Sequence, residues 1–178
     1  ICGKPLWKYS LEILEKFSKV FLITKGGSTR FDSAKIGFEK VYKSEKLKDS
    51  DIIIFHNAAN PFLDSRELKL VIEKAKKHGA AITGNIATDT VKRINGEKIT
   101  DTFPREKILL AQTPQAFQVG ILKKAYKNAA KKKQTFTDES SLVEGIGITS
   151  HWIPASSLNK KITTREDLDW MHAMLAQP

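Results

Sequence analysis

Two asparagines follow a buried apolar segment at a place where enzymes commonly carry an acid or a base. The run Ile52–Phe55 ends in His56, and the loop from Asn57 to Pro61 is small and polar. In open parallel sheets, ligands bind at the carboxyl ends of the strands. Amide groups can donate and accept hydrogen bonds, but they bring no charge. The loop is therefore either a working site built on amides or a site that has lost its charged groups.

Two segments carry cations suited to phosphate binding. Lys160 and Lys161 stand just before a predicted helix, where a lysine can neutralise phosphate charge. Arg105 stands beside a predicted hairpin and close to the segment Gln112–Gln115. Solvated lysines, a surface arginine and a turn are the alternative interpretations of these residues.

Glycine and threonine mark three further connections between elements. Gly26 and Gly27 precede a predicted helix, where glycine lets a ligand approach the backbone and the helix start favours anions. Threonine-aspartate pairs occur at 88–89 and 137–138. A tight turn explains the glycines equally well, and helix capping or turn formation explains the aspartates.

The histidines and the cysteine do not form a familiar catalytic or metal-binding pattern. His56, His78, His151 and His172 share no ligand spacing. Cys2 is the single cysteine, which excludes an internal disulfide and favours a cytoplasmic location. No apolar run approaches the roughly 20 residues of a membrane span, and no secretory signal pattern is present.

The chain is strongly basic, with a formal net charge of +10 and a pI of about 9.6 over 178 residues. Either a nucleic-acid partner or a lysine-rich surface around a phosphate-using site would explain this charge. The lysines are spread over nearly every predicted helix, with one cluster at 130–134. Aromatic and basic residues do not alternate as they do in single-strand binders, so solvated helix faces are favoured.

Apolar periodicity, capping residues and turn signals divide the chain into alternating helices and strands. Asp64 and Glu67 fit a capping box before one helix. Asp138, and Thr164 with Asp167, fit the starts of two later helices. The predicted helices cover 5–17, 28–42, 64–79, 119–132, 138–145 and 163–175. The predicted strands cover 19–24, 52–56, 80–83 and 148–153, with two extended segments at 90–103.

Alternating strands and helices predict an α/β domain with a mostly parallel sheet. The Asn95-Gly96 dipeptide is a strong hairpin signal because both residues tolerate positive φ, and it places an excursion from the sheet at 90–103. The sequence contains no repeats and no low-complexity linkers. We therefore predict one domain over residues 1–178.

Six motifs stand in the order that one family shows. The chain resembles the 2-C-methyl-D-erythritol 4-phosphate cytidylyltransferases and the related ribitol-5-phosphate cytidylyltransferases over about residues 3–168. The motifs are GGSTRFDSAKIGF, FHNAANPF, ATDTVK, LLAQTPQAF, TDESSLVE and NKKITTREDL. The resemblance implies a Rossmann-like nucleotidyltransferase fold, CTP as a substrate and a divalent metal, usually Mg²⁺. It also implies a homodimer held by a projecting β-arm at about 87–111.

The implied reaction transfers CMP from CTP to 2-C-methyl-D-erythritol 4-phosphate and releases pyrophosphate, an early step of the non-mevalonate isoprenoid pathway. Arg105 and Lys161 match catalytic residues of the family that hold phosphate groups, and Thr90 and Arg105 belong to the arm that reaches the partner's substrate. The matching substrate-binding positions are Thr90, Thr113, Thr137, Asn57 and Asn60. The matching nucleotide-binding positions are Gly26, Gly27, Arg30 and Ser33.

The sequence departs from the family pattern at several places. The family's HDAARP reads HNAANP here, so Asn57 replaces an aspartate linked to metal and substrate and Asn60 replaces an arginine. Ser28 and Leu158 stand where aspartate is common in the family. Losing an acid and a base together keeps the local charge balance, which favours an active enzyme with altered metal binding. The metal ligands are left unassigned, with Asn57 as a candidate.

The family's amino-terminal glycine-rich loop, which carries basic residues for the triphosphate, has no counterpart in this sequence. We expect that the chain as printed lacks flexible segments of the protein.

Two other functions stay open. An enzyme for another polyol phosphate, such as ribitol 5-phosphate, would use the same motifs, because no single motif distinguishes the polyols. A catalytically weak dimer that binds nucleotide or nucleic acid would fit Asn57, Asn60 and the high pI. The retained Arg105 and Lys161 oppose that last interpretation, because such a module has no need of a phosphate clamp.

Overall fold

The computed structural model describes residues 13–14 and 16–176. The chain divides into two compact units, residues 1–46 and 47–178. Cys2 and most of the helix predicted at 5–17 lie outside the described residues. The prediction of one domain stays a prediction, and each unit is described by itself.

The first unit contains helix α1, which spans Arg30–Ser44. The Thr29 hydroxyl accepts a hydrogen bond from Asp32 N at 3.1 Å and caps this helix, which confirms the helix predicted at 28–42 with slightly later ends. The strand predicted at 19–24 is wrong, since these residues take no regular structure. A strand needs a partner for its backbone groups, and the described residues of this unit provide none.

The second unit is an α/β fold in which strands and helices alternate, as predicted. Its elements are β1 (Ile52–Phe55), α2 (Ser65–His78), β2 (Ala80–Ile86), β3 (Val91–Asn95), β4 (Lys98–Phe103), β5 (Leu109–Gln118), α3 (Val119–Lys132), α4 (Glu139–Glu144), β6 (His151–Pro154) and α5 (Arg165–Leu175). None of the described helices is long and apolar enough to cross a membrane.

The main sheet has four strands in the order β1-β5-β2-β6. β1, β2 and β6 run in one direction, and β5 lies antiparallel between β1 and β2. The sheet is therefore mixed. Three of its four strands run in one direction, as predicted, whereas only β2 and β6 are parallel neighbours. The carboxyl ends of β1, β2 and β6 consequently meet at one edge, where ligands commonly bind.

β5 is the strand that sequence reasoning missed. Its register against β2 shifts between Ile82, which pairs with Gln115, and Thr83, which pairs with Gln112. Thr113 and Pro114 occupy this bulge, so the missing N–H of the proline removes no hydrogen bond from the ladder. Pro114 made the segment resemble a turn, whereas it marks an irregularity inside a long central strand.

Helix α2 packs its apolar face on the main sheet. Val71 and Ala75 lie four residues apart on one face of the helix, and both are fully buried. They contact a core formed by Ala81, Ala116 and Ile153. The alanine side chains in this core are small, so the helix backbone lies close to the sheet.

Strands β3 and β4 form a separate antiparallel hairpin, which confirms the excursion predicted at 90–103. The turn begins one residue later than predicted, because Asn95 is the last residue of β3 and pairs with Lys98. Gly96 takes the positive φ of +58°, and Asn95 does not. The Asn-Gly signal therefore located the hairpin, although glycine alone provides the unusual conformation.

Two of the later helices begin at the capping residues that the sequence predicted. Asp138 caps α4, and Thr164 forms a capping box with Asp167 at the start of α5, as predicted. The capping box at α2 is wrong. The Asp64 carboxylate accepts from Arg66 N at 2.7 Å, while Glu67 turns inward and is 5% exposed.

Gly79→Ala should destabilise the second unit. Gly79 ends α2 with φ +89°, a left-handed conformation that costs other residues about 1–2 kcal/mol, and an added Cβ would lie 2.5 Å from Ile121 Cδ1. Gly37→Ala is the control, because Gly37 lies within α1 with open space around it. Its replacement should stabilise by up to about 1 kcal/mol. Urea unfolding gives the free energy of unfolding of both variants, and equal values would contradict the prediction.

Candidate functional site

The loop after β1 is a closed turn that is held from two sides. Asn60 N donates to the Asn57 carbonyl at 2.9 Å, and Asn57 N donates to Thr113 Oγ1 at 3.2 Å. His56 Nε2 lies 2.9 Å from the Asn60 carbonyl oxygen, and since a carbonyl only accepts, this ring nitrogen carries the proton. The loop is thus fixed against β5 at the carboxyl end of β1.

Four side chains next to this loop form a polar cluster, called here the amide cluster: Asn57, Asn60, Asn159 and Glu67. Asn57 Nδ2 donates to Asn60 Oδ1 at 3.3 Å, and Asn60 Nδ2 donates to Asn159 Oδ1 at 3.0 Å. Asn159 Nδ2 in turn donates to Glu67 Oε1 at 3.1 Å. Asn60 and Asn159 are 4% and 1% exposed, so these bonds form away from water, where unpaired polar groups are costly.

Sequence reasoning missed two members of the amide cluster. It placed Glu67 in a helix cap, although this residue lies four residues before Val71 on the face of α2 that packs inward. That spacing was the available signal for a buried carboxylate. Asn159 begins the motif NKKITTREDL, but its own part in the site was not predicted.

The segment between β6 and α5 lies against the loop after β1. Ile162 N donates to the Ala59 carbonyl at 2.8 Å, and Asn159 N donates to the Ser156 carbonyl at 3.0 Å. Lys161 immediately precedes Ile162, so its backbone is held next to the loop that carries the asparagines. The structure thereby brings Lys161 to the same edge of the sheet.

The two neighbouring lysines have different surroundings. Lys160 Nζ donates to Asp167 Oδ1 at 2.7 Å and lies 5.3 Å from the centroid of the Trp170 ring. The Lys161 side chain is exposed and makes no ion pair within the part of the chain that the structure describes. Lys160 therefore has a structural contact, and Lys161 is the cation that an incoming anion can reach.

A polar link between β5 and α4 positions Thr137. Gln115 Nε2 donates to Asp138 Oδ2 at 2.9 Å, and Gln115 Oε1 accepts from Ser140 N at 3.3 Å. Asp138 also accepts from Ser141 N at 2.9 Å as the cap of α4. Thr137, the residue before this cap, is exposed. The capping interpretation of Asp138 is thus confirmed, and the cap holds the backbone next to Thr137.

Arg105 and Thr90 lie at the base of the β3–β4 hairpin, where the sequence placed them. Arg105 Nη1 donates to the Thr88 carbonyl at 2.6 Å, and both Arg105 and Thr90 are exposed. This hydrogen bond holds the guanidinium along the connection into the hairpin. Neither residue belongs to the amide cluster, and their part in a substrate site stays a prediction.

In the first unit, the glycine segment packs tightly on the start of α1. Gly27 N donates to Ser33 Oγ at 3.0 Å, and Ser33 Oγ donates to the Thr29 carbonyl at 2.9 Å. A Cβ added at Gly26 would lie 2.8 Å from Ser33 Oγ. Close chain packing therefore accounts for the glycines, and the nucleotide-binding role of Gly26, Gly27, Ser33 and Arg30 stays a prediction.

The described residues contain no group of three His, Cys, Asp or Glu side chains that could hold a metal ion. Mg²⁺ commonly binds one or two carboxylates together with substrate phosphates. The loop after β1 offers amide oxygens, of which Asn57 Oδ1 makes no hydrogen bond to a described residue. This set fits an ion that arrives with a phosphate ligand and takes a single neutral oxygen from the protein.

The chain matches the family model of 2-C-methyl-D-erythritol 4-phosphate cytidylyltransferase over residues 7–177. It is 34% identical over 162 residues to a protein of that name from Halalkalibacterium halodurans, covering 91% of this chain and 68% of the relative. It is 38% identical over 161 residues to one from Syntrophus aciditrophicus, covering 90% and 67%. The chain thus spans about two thirds of the length of these relatives.

Solved structures of proteins named for the same enzyme activity have the same fold as this chain. The 4-diphosphocytidyl-2C-methyl-D-erythritol synthase of Anaerococcus prevotii superposes with a TM-score of 0.82 at 27% identity, covering 98% of this chain and 78% of that one. The 2-C-methyl-D-erythritol 4-phosphate cytidylyltransferase of Thermus thermophilus gives a TM-score of 0.75 at 29% identity, covering 85% and 71%. The fold predicted from the resemblance is confirmed.

The segment before α5 depends on Asp167, so its stability should fall in acid. The Lys160 ammonium, followed by the backbone N–H groups of Thr163 and Thr164, lowers the pKa of Asp167 from its ordinary value of 3.8. A carboxyl group whose pKa is lower in the folded state than in the unfolded state stabilises the fold at a pH above the unfolded-state pKa. This stabilisation is lost as the pH falls toward the folded-state pKa.

Unfolding of the wild type in urea should therefore become easier between about pH 5 and pH 2. Asp167→Asn should be less stable than the wild type at neutral pH, and it should lose less stability than the wild type as the pH falls. Asp169→Asn, an exposed aspartate on the same helix, is the control and should keep the wild-type profile. Parallel pH profiles for wild type and Asp167→Asn would contradict the assignment.

Proposed function

The chain belongs to the 2-C-methyl-D-erythritol 4-phosphate cytidylyltransferase family, and from that premise we propose that it transfers CMP from CTP to 2-C-methyl-D-erythritol 4-phosphate. The products are 4-diphosphocytidyl-2-C-methyl-D-erythritol and pyrophosphate, in the non-mevalonate route to isoprenoids. The observation that carries the proposal is the family match over residues 7–177, which includes all six sequence motifs.

The reaction is an in-line displacement at phosphorus. A phosphate oxygen of the polyol phosphate attacks the α-phosphorus of CTP, a new P–O bond forms, and the bond to the β-phosphate oxygen breaks as pyrophosphate leaves. Both reactants are anions, so the protein contributes chiefly by positioning them and neutralising charge.

Lys161 and Arg105 are the cations assigned to this task. The backbone at Lys161 lies beside the loop after β1, and its exposed ammonium supplies a point charge to the substrate phosphate. The guanidinium of Arg105 offers a planar fork that can hold a phosphate through two hydrogen bonds. Its remaining N–H groups stay available although Nη1 already donates to Thr88.

Polar side chains are assigned to the remainder of the substrates. Asn57 supplies an amide oxygen that makes no hydrogen bond to a described residue, and Asn60 holds Asn57 in place. Thr90 and Thr137 are assigned to the polyol phosphate through their exposed hydroxyl groups. Thr113, whose buried hydroxyl accepts from Asn57 N, is assigned to it through the loop that this bond holds. The segment with Gly26, Gly27, Arg30 and Ser33 is assigned to the nucleotide.

Mg²⁺ would be held by Asn57 Oδ1 together with phosphate oxygens of the substrates. When bound, such an ion neutralises charge on the triphosphate and the leaving pyrophosphate. The amide brings no charge of its own, so affinity for the ion depends more on the nucleotide than it would with a carboxylate at residue 57.

The hairpin is assigned to dimerisation. Ile94 and Ile99 pair across the two strands and are 69% and 65% exposed. Leu110, near the base of the hairpin, is also exposed. Exposed apolar groups of this kind mark surfaces that associate. A pair of hairpins between two copies in the cytoplasm would cover them.

The first test measures pyrophosphate release by the full-length protein supplied with CTP, Mg²⁺ and 2-C-methyl-D-erythritol 4-phosphate, with ribitol 5-phosphate as the acceptor in a parallel reaction. We expect turnover with the erythritol phosphate. Turnover with ribitol 5-phosphate alone would replace the proposed substrate, and no turnover with either would reject the reaction.

Arg105→Ala and Lys161→Ala should each lower kcat/KM by about 100-fold or more, since each removes a charged contact to phosphate. Both side chains are exposed, so the urea midpoint should change little. Lys107→Ala, an exposed lysine in the same turn as Arg105, is the control and should keep wild-type kinetics. Wild-type kinetics in either test variant would remove that residue from the site.

Ile99→Lys should convert a dimer into monomers, because it places a charge on the apolar surface of the hairpin. Sedimentation velocity measures the change. Leu70→Lys introduces the same charge at an exposed leucine on α2 and should leave the dimer intact. A monomeric wild type, or a dimeric Ile99→Lys variant, would reject the arm interface.

A further inference from the structure

The hydrogen bonds of the amide cluster could run along the series in either of two directions. An asparagine side chain has a donor end and an acceptor end of nearly equal shape, and the hydrogen-bond network decides which end points where. Asn57, Asn60 and Asn159 follow one another in a single series, so the orientation of one amide constrains the next. A group that can only accept or only donate must therefore set the direction of the whole series.

The direction is set at Asn159. Its Nδ2 lies 2.8 Å from the Thr113 carbonyl oxygen and 3.1 Å from Glu67 Oε1. A backbone carbonyl accepts hydrogen bonds and cannot donate them, and Glu67 Oε1 takes a second hydrogen bond from the same amino group. Asn159 must therefore turn its amino group to this side and its carbonyl oxygen away from it.

The same polarity passes along the series. Asn159 Oδ1 requires a donor and receives Asn60 Nδ2 at 3.0 Å. Asn60 Oδ1 is then free to accept and receives Asn57 Nδ2 at 3.3 Å. Asn57 is left with its carbonyl oxygen pointing out of the series. It is half-buried at the carboxyl end of β1, and no described residue donates to that oxygen.

We infer that Glu67 and Asn159 are positioning residues, which fix Asn57 through a one-directional series of hydrogen bonds so that its carbonyl oxygen accepts from a hydroxyl group of the polyol phosphate. This oxygen has two lone pairs, so the hydroxyl contact can stand beside the contact assigned to Mg²⁺. This inference rests on the proposed function for the identity of the ligand. The direction of the series itself rests only on the contacts within the amide cluster.

The unpaired carboxyl oxygen of Glu67 supports a positioning role for this residue. Its Oε2 is buried and has no hydrogen-bond partner among the described residues, although a buried unpaired carboxylate oxygen destabilises a fold. An apolar residue at this position would avoid that cost. The acceptor that Glu67 provides to Asn159 is the one interaction that such a residue could not replace.

The series also couples residues 57 and 60. In Asn57→Asp, a carboxylate replaces the amino group that donates to Asn60, so two acceptors face each other. Asn60 cannot turn to relieve this contact, because its Nδ2 is already required by Asn159 Oδ1. An arginine at residue 60 would resolve the conflict, since a guanidinium donates in both directions.

The first experiment tests Glu67 in the full chain. Glu67→Met keeps the approximate shape without the acceptor, and it should raise KM for the polyol phosphate about tenfold while KM for CTP stays unchanged. Glu67→Gln retains an acceptor and should restore most of the wild-type KM. Val71→Ala, one turn along on the buried face of α2, is the matched control and should lower stability without changing either KM.

The second experiment tests the coupling and does not require Glu67→Met to fold. Asn57→Asp alone should lower kcat/KM about tenfold or more, and adding Asn60→Arg should recover most of this loss. Strong coupling in this double-mutant cycle supports the series. Additive effects, or wild-type kinetics in Asn57→Asp, would overturn it.

A third readout separates this inference from the proposed reaction. In the wild type without substrates, the side-chain amide protons of Asn57, Asn60 and Asn159 should give NMR signals protected from exchange, and those of Asn57 should lose protection in Asn60→Ala. An inactive wild type with these protected signals would reject the proposed reaction and keep the direction of the series. Unprotected Asn57 signals in an active wild type would overturn the series alone.

Discussion

The two hydrogen bonds that Thr113 receives determine where the rest of the candidate site lies. Its hydroxyl accepts from Asn57 N and its carbonyl accepts from Asn159 Nδ2, so one residue of β5 contacts the loop after β1 and the segment before α5. Thr113 can do this because it lies in a bulge, where its backbone is released from the ladder with β2. The antiparallel strand at the centre of the sheet is therefore what brings the two loops together.

The candidate site is built on buried amides with one buried carboxyl group, that of Glu67, beside them. The amides hydrogen-bond to one another and to Glu67, so the loop after β1 is held without an oppositely charged pair, whose desolvation would be costly. In the proposed reaction, the charge needed for phosphate comes from Lys161 and Arg105, which lie outside this cluster. The rigid part of the site would then set geometry, and the exposed cations would meet the anionic substrates.

Local signals in the sequence predicted the helices well and the strands less well. Capping residues and the Gly79 stop signal act within a few residues, so α2 to α5 were located nearly to their ends. β5 and the false strand at 19–24 depended on pairing with distant residues, which apolar runs alone do not reveal. The motifs located the loop after β1 and Lys161. The partnership of Glu67 with Asn159 could not be predicted, because its members lie 92 residues apart.

The direction of the amide series has an evolutionary consequence. The aspartate-arginine pair of the family pattern and the asparagine pair found here are both self-consistent. Asparagine beside arginine is self-consistent too, since the amide of residue 57 can turn its oxygen toward the guanidinium. Aspartate beside asparagine is the combination in which two acceptors meet. On the inference drawn above, a change from one pair to the other therefore passes most easily through arginine at residue 60, so the two positions should covary among relatives.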